Sequence, residues 1–137
     1  MTVTTKSSEL EVDGQLGERS MAATASGLTK VYGSGATRVV ALDHVDVGFH
    51  AQRLTAIMGP SGSGKSTLLH CMAGLDSVTD GDVRIGETRI SELSDKELTL
   101  LRRQRLGFIF QAFNLVPTLT AEENILLPLH LGGREPD

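Results

Sequence analysis

Apolar residues alternate with polar ones from Ala25 to Tyr32 and again from Arg38 to Phe49, and Gly33-Ser34-Gly35 stands between the two stretches. A two-residue period is that of a strand with one covered face, and glycine with serine marks a turn, so the pattern predicts an antiparallel pair. Leu54 to Met58 (LTAIM) is apolar without alternation. That predicts a strand covered on both faces, the kind found in parallel sheets. From Ser66 to Leu75 the period changes: Leu68, Leu69, Met72, Ala73 and Leu75 recur at helical spacing, with Gly74 where a C-terminal cap is expected.

Further along, Gly81 to Ile85 predicts a strand, and Ser94-Asp95-Lys96-Glu97 forms a capping box that opens a helix through Arg103. Leu106 to Phe110 (LGFIF) is a second run of the buried-strand type, ending at Gln111. A second capping box, Thr120-Ala121-Glu122-Glu123, opens a helix carrying Ile125, Leu126, Leu129 and Leu131, with a bend expected at Pro128. The closing GGREPD is rich in turn residues. Met1 to about Ser20 has neither period and lacks aromatics, which predicts a disordered tail over 1–20 and one domain over 21–137. Met21 stands where the pattern begins, so translation starting there is the expectation that mass spectrometry of the native N-terminus would test.

Composition narrows the partners. With 137 residues, 39% apolar and 22% charged, the chain is of globular type with one core. Thirteen basic and 17 acidic residues leave a formal charge of -4, so no positive field draws it to nucleic acid or anionic lipid. Cys71 is the sole cysteine, lies in an apolar-patterned segment, and suits a reducing compartment. No run of eighteen apolar residues appears, so a membrane role has to come through a partner. His44, His50, His70 and His130 share no metal-ligand spacing with each other or with Cys71. The cluster Arg102-Arg103-Gln104-Arg105 falls at the end of a predicted helix, where the dipole favours cations on a solvated face.

The residues that carry chemistry are Gly59-Pro60-Ser61-Gly62-Ser63-Gly64-Lys65-Ser66-Thr67, which fit G-x-x-x-x-G-K-[ST] between a predicted strand and a predicted helix. Glycines let the backbone curl round an anion, N–H groups point inward, and the helix N-terminus adds about half a positive charge. Lys65 is expected at the β- and γ-phosphates, the Ser66 hydroxyl on Mg²⁺, and Thr67 on the α-phosphate. Gly59, Ser61, Gly62, Ser63 and Gly64 make up the rest of the cradle.

The stretches GLTKVYGSG, VVALDHVDVGF, IMGPSGSGKSTLLHCMAGLD and RRQRLGFIFQAFNLVPTLTAEENILLPL together resemble the first half of an ATP-binding cassette ATPase, the motor subunit of ABC transporters. Within that superfamily the chain is most similar to the macrolide-export and lipoprotein-release type. The resemblance covers Leu28 to Gly132. It implies an α/β fold, a P-loop NTPase core with an N-terminal antiparallel β part, ending before the acidic strand and the signature helix. It implies that Tyr32 stacks on the adenine ring, where stacking contributes about 1–3 kcal/mol per base. It also implies that Gln111 contacts Mg²⁺ and the attacking water and opens a loop reaching a transmembrane permease. The apolar Ala112 to Leu119 that follows suits such an interface.

A P-loop ATPase also needs an acid after an apolar run. The runs here end in Gly59, Gln111 and Pro128, while Asp43, Asp46, Asp76, Asp80 and Asp82 follow mixed segments. The family's L-S-G-G-Q-like signature and switch histidine are not in the sequence either. The expectation is therefore an ATP-binding subunit of an ABC transporter that holds Mg-ATP, dimerises with a second such subunit and sits at the inner membrane face on its permease. Catalysis through Lys65 and Gln111 is conditional on the missing half. The alternative is a non-catalytic nucleotide-binding fragment, and a small P-loop kinase is a third reading that explains neither Tyr32 nor the segment after Gln111. A truncated parallel sheet further predicts marginal stability of the isolated chain.

Overall fold

A computed structural model describes residues 20–110, 112 and 114–133, in two compact units that divide between Leu93 and Ser94. The tail expected over 1–20 lies, up to residue 19, outside the described residues, as does Gln111.

In the first unit, β1 (Met21–Tyr32) and β2 (Val39–His50) form the expected antiparallel pair, joined through a single 3-10 turn at Gly35–Thr37. β3 (Asp80–Ile85) pairs antiparallel with the other edge of β1, and a short β4 (Thr88–Arg89), which no sequence pattern announced, closes the order β2-β1-β3-β4. The helix α1 (Lys65–Met72) packs on this sheet. Leu28, Leu42, Leu68, Val83 and Cys71 meet in the core between them, each essentially inaccessible to solvent.

One irregularity in β1 matters for the site. Ala25 and Leu28 are both buried although three positions apart, where a regular strand would bury every second residue. Gly27 supplies the extra residue: its φ of +59° is left-handed, and its N–H donates to Asp46 Oδ1 at 2.7 Å. The register shifts there against both β2 and β3. The bulge rephases the strand, so that Leu28, Lys30 and Tyr32 follow one another on one face.

Two expected strands are corrected. Leu54–Met58 and Leu106–Phe110 belong to no sheet, and Leu54 and Ile109 are fully exposed. The rings of Phe108 and Phe110 stack with centroids 5.6 Å apart. The cause is a lack of neighbours: an unalternating apolar run becomes a strand only where others pair with its backbone and cover both faces, and no described strand pairs with either segment.

The second unit consists of α2 (Asp95–Arg105) and α3 (Ala121–Leu131), both opened by the capping boxes expected of Ser94 with Glu97 and Thr120 with Glu123. α3 runs on past Pro128 to Leu131. Before it, Asn124 fastens the preceding loop: its Oδ1 accepts from Val116 N–H at 2.8 Å, and its Nδ2 donates to the carbonyls of Val116, Leu119 and Thr120. Leu115, Val116, Pro117, Leu119, Ala121 and Ile125 line an apolar groove of about 510 Å³ beside it.

Candidate phosphate-binding site

The loop from Gly59 to Gly64 has no regular structure and delivers the chain into α1. Gly62 and Gly64 have φ of +76° and +82°, the left-handed region that glycine enters without steric cost. The approach at Gly59 is close, since a Cβ there would stand 2.8 Å from Ser63 Oγ. Ser63 N–H in turn donates to the Pro60 carbonyl at 3.3 Å, which tightens the curl.

α1 differs from the other two helices at its start. Its N-cap is Gly64, no side chain caps it, and no acid stands in its first turn, whereas α2 and α3 each have a capping box and two acids there. The positive end of its dipole is left for a ligand. Lys65 occupies the mouth of the loop: its Nζ donates to the carbonyl oxygens of Gly59 at 2.9 Å and Pro60 at 2.7 Å and lies 3.4 Å from Ser63 Oγ. Carbonyl oxygens hold the ammonium where phosphate oxygens could replace them. Ser66, in the first turn of α1, is exposed, and its hydroxyl is a hard oxygen of the class that Mg²⁺ prefers.

Tyr32 ends β1 and is 41% exposed. Its hydroxyl donates to Asp76 Oδ2 at 2.6 Å. That carboxylate and, to a lesser degree, burial push the phenol pKa up, while nearby Thr67 of α1 pulls it down. Asp76 in turn lies below the usual carboxylate range, mainly because Lys30 donates to it at 2.6 Å and then because Tyr32 does. The structure thus brings Tyr32 against Thr67, a member of the phosphate loop. Gln111 lies outside the described residues, so Tyr32, Gly59, Ser61, Gly62, Ser63, Gly64, Lys65, Ser66 and Thr67 are the predicted positions it places.

Lys30 and Asp76 escaped the sequence reading. The signal was present in the i, i+2 spacing of Lys30 and Tyr32, which puts both on one strand face, but a lysine in a strand reads as solvated until its burial is known.

The ABC transporter family model matches residues 42–136. The chain belongs to the ABC transporter family. An uncharacterized ABC transporter ATP-binding protein of Methanocaldococcus jannaschii is 47% identical over 102 residues, 74% of this chain and 43% of the relative. The lipoprotein-releasing system ATP-binding protein LolD of Legionella pneumophila is 44% identical over 110 residues, covering 80% and 48%. A solved dimeric ATP-binding cassette in a post-hydrolysis state, bound to ADP and Pi, superposes with a TM-score of 0.70 at 39% identity, over 84% of this chain and 50% of that one. The chain spans about half the length of the relatives it matches. Its fold class is that of the family, an α/β P-loop NTPase core with an N-terminal antiparallel part, here the sheet carried by β1.

Proposed function

We propose that this ABC family member is the ATP-binding subunit of a transporter and holds Mg-ATP on Gly59–Thr67. The observation that carries the reading is the uncapped start of α1 with Lys65 folded over the loop on carbonyl oxygens. Lys65 exchanges those carbonyls for β- and γ-phosphate oxygens, Ser66 and Gln111 hold Mg²⁺, Thr67 meets the α-phosphate, and Tyr32 stacks on adenine. Bound there, Mg²⁺ would neutralise charge on the phosphates. Gln111 orients the attacking water, and Lys65 stabilises charge on the transferred phosphoryl group.

In this reading two copies close around ATP, as the dimeric state of the solved cassette supports for the family. The apolar groove of Leu115, Val116 and Pro117, in the loop after Gln111, with Ile125 of α3, is the surface offered to a transmembrane permease. No helix among the described residues is long and apolar enough to cross a membrane. In this reading attachment at the inner membrane face runs through that partner, and the motor drives export or, as the likeness to the lipoprotein-releasing relatives supports, lipoprotein or peptide extraction.

A second reading, nucleotide binding without turnover, is favoured by where the acids are. Asp76 is held by Lys30 and Tyr32, Asp82 by Arg84, Arg89 and Ser91, Asp46 by Gly27 N–H, Asp43 by His44, and Asp80 by Gly81 N–H. Each is committed within its own surroundings. Steady-state hydrolysis of Mg-ATP by the purified chain separates the two readings. Turnover abolished by Lys65→Ala supports the motor, whereas saturable binding with no phosphate release supports the second reading.

A further inference from the structure

Lys30 is the one charged side chain buried among the described residues, at 6% exposure. A buried ammonium persists only with partners, and this one donates to Asp76 Oδ1 at 2.6 Å and to the Ser77 carbonyl at 2.6 Å. The second oxygen of the same carboxylate accepts the Tyr32 hydroxyl. Asp76 therefore has both oxygens engaged and cannot swing. Lys30 Nζ also lies 4.9 Å from the Tyr32 ring centroid, so one face of the ring meets a cation. The backbone of Asp76 is anchored to α1, its N–H pointing at the His70 carbonyl at 3.3 Å beside the shorter Leu75 bond to the same oxygen. From the phosphate loop the path runs through α1 to Asp76 and on to the Tyr32 hydroxyl with a fixed contact at every step.

We propose that Asp76, locked by Lys30, is a positioning residue that holds the Tyr32 ring at the attitude in which it receives a nucleotide base, tying the base platform to the helix that carries the phosphate loop. The inference rests on the reading that Tyr32 stacks on the base. It assigns a purpose to the phenol hydroxyl, which stacking alone does not require.

The test uses the full chain with two ligands, Mg-ATP and Mg-tripolyphosphate, the second lacking a base. Tyr32→Phe keeps the ring and removes the tether; Asp76→Asn keeps the shape and removes the charge. Each is expected to weaken ATP by about 3- to 10-fold, the range of one lost hydrogen bond, and to leave tripolyphosphate unchanged. The double variant should bind ATP no worse than Tyr32→Phe alone, because both changes break one link. Tyr32 is the chain's sole tyrosine and there is no tryptophan, so ultraviolet absorbance reports this phenol alone. Asp76→Asn should move its ionisation to lower pH, a change that a purely structural role for Asp76 would not produce.

If Tyr32→Ala weakens ATP while Tyr32→Phe and Asp76→Asn do not, positioning is overturned and stacking stands. If Tyr32→Ala leaves the ratio of ATP to tripolyphosphate affinity unaltered, stacking fails and the inference falls with it. An Asp76→Asn variant that loses tripolyphosphate as well has lost its fold, and Tyr32→Phe then decides alone.

Discussion

Gly81→Ala is the substitution whose cost the structure defines best. Gly81, the second residue of β3, has φ at +91° and lies opposite the bulge at Gly27. An alanine there meets two separate penalties. A side chain in left-handed backbone costs about 1–2 kcal/mol. The added Cβ would also press on the Gly27 carbonyl oxygen and stand 2.6 Å from the Gly27 carbonyl carbon and 2.7 Å from the Ser26 carbonyl oxygen. All three are backbone atoms in the centre of a sheet, so no flexible side chain can give way, and overpacking of this kind costs roughly 1–3 kcal/mol. The sum, about 2–5 kcal/mol, is a large fraction of the roughly 5–15 kcal/mol that holds a domain together.

Gly35→Ala separates the two penalties. Gly35 also has a left-handed φ, +54°, but a Cβ there meets nothing within 4 Å. It should show the conformational cost alone. In urea, with a slope of about 1–3 kcal/mol per molar, the overpacking penalty of about 1–3 kcal/mol should put the midpoint of Gly81→Ala roughly 0.3–3 M below that of Gly35→Ala. Equal midpoints would refute the close approach of Gly81 to the Gly27 bulge, and with it the account of why Lys30 and Tyr32 share a face.

Lys65→Ala should raise the dissociation constant of Mg-ATP by at least about tenfold, the low end of the range for charge-assisted bonds, because the free protein already satisfies the ammonium with two carbonyls. Calorimetry should show the same loss for Mg-tripolyphosphate, and unchanged tripolyphosphate binding would contradict the assigned role. Glu123 accepts from the Thr120 backbone and hydroxyl, which holds its carboxyl below the usual range. A lowered folded value means that the bond stabilises α3 fully above the ordinary carboxylate range, and that this contribution is lost as pH falls from there through the lowered folded value. Circular dichroism from about pH 6 to about pH 3 should show helix loss that Thr120→Ala attenuates, and an identical pH profile in that variant would count against the capping box. Cys71 is buried, and burial pushes its thiol pKa up, Asp76 adding to the effect. Alkylation should be slow in the native chain and fast in urea, and equal rates would show that the core around Leu68 and Val83 is not formed.

Local signals carried most of the element assignments. The capping boxes at Ser94 and Thr120, the turn at Gly33–Gly35 and the glycines before Lys65 act within a few residues of themselves, and the structure forms each where the sequence announces it. Leu54–Met58 and Leu106–Phe110 depend on distant partners. Their hydrophobicity says that they suit a covered place and says nothing about which chain segment covers them, so the same letters stand exposed where no strand pairs with them.

The site divides along the same line. A phosphate loop is legible because its geometry is dictated by residues next to one another: two left-handed glycines, a lysine that reaches back five and six positions, and a helix start with no competing acid. The Lys30, Tyr32 and Asp76 cluster joins residues more than forty positions apart. What connects them is the bulge at Gly27, which sets the phase of β1, and the hydrogen bonds from Thr79 N–H to the Thr29 carbonyl and from Val31 N–H to the Thr79 hydroxyl, which lay the segment after α1 along that strand. A one-residue change in that phase would turn Lys30 and Tyr32 to the opposite face, away from Asp76, while leaving the loop from Gly59 to Thr67 intact. If Gly59–Thr67 holds the phosphates and Tyr32 the base, substitutions at the bulge that leave the chain folded should weaken base binding more than phosphate binding, and equal losses of Mg-ATP and Mg-tripolyphosphate affinity would count against that division.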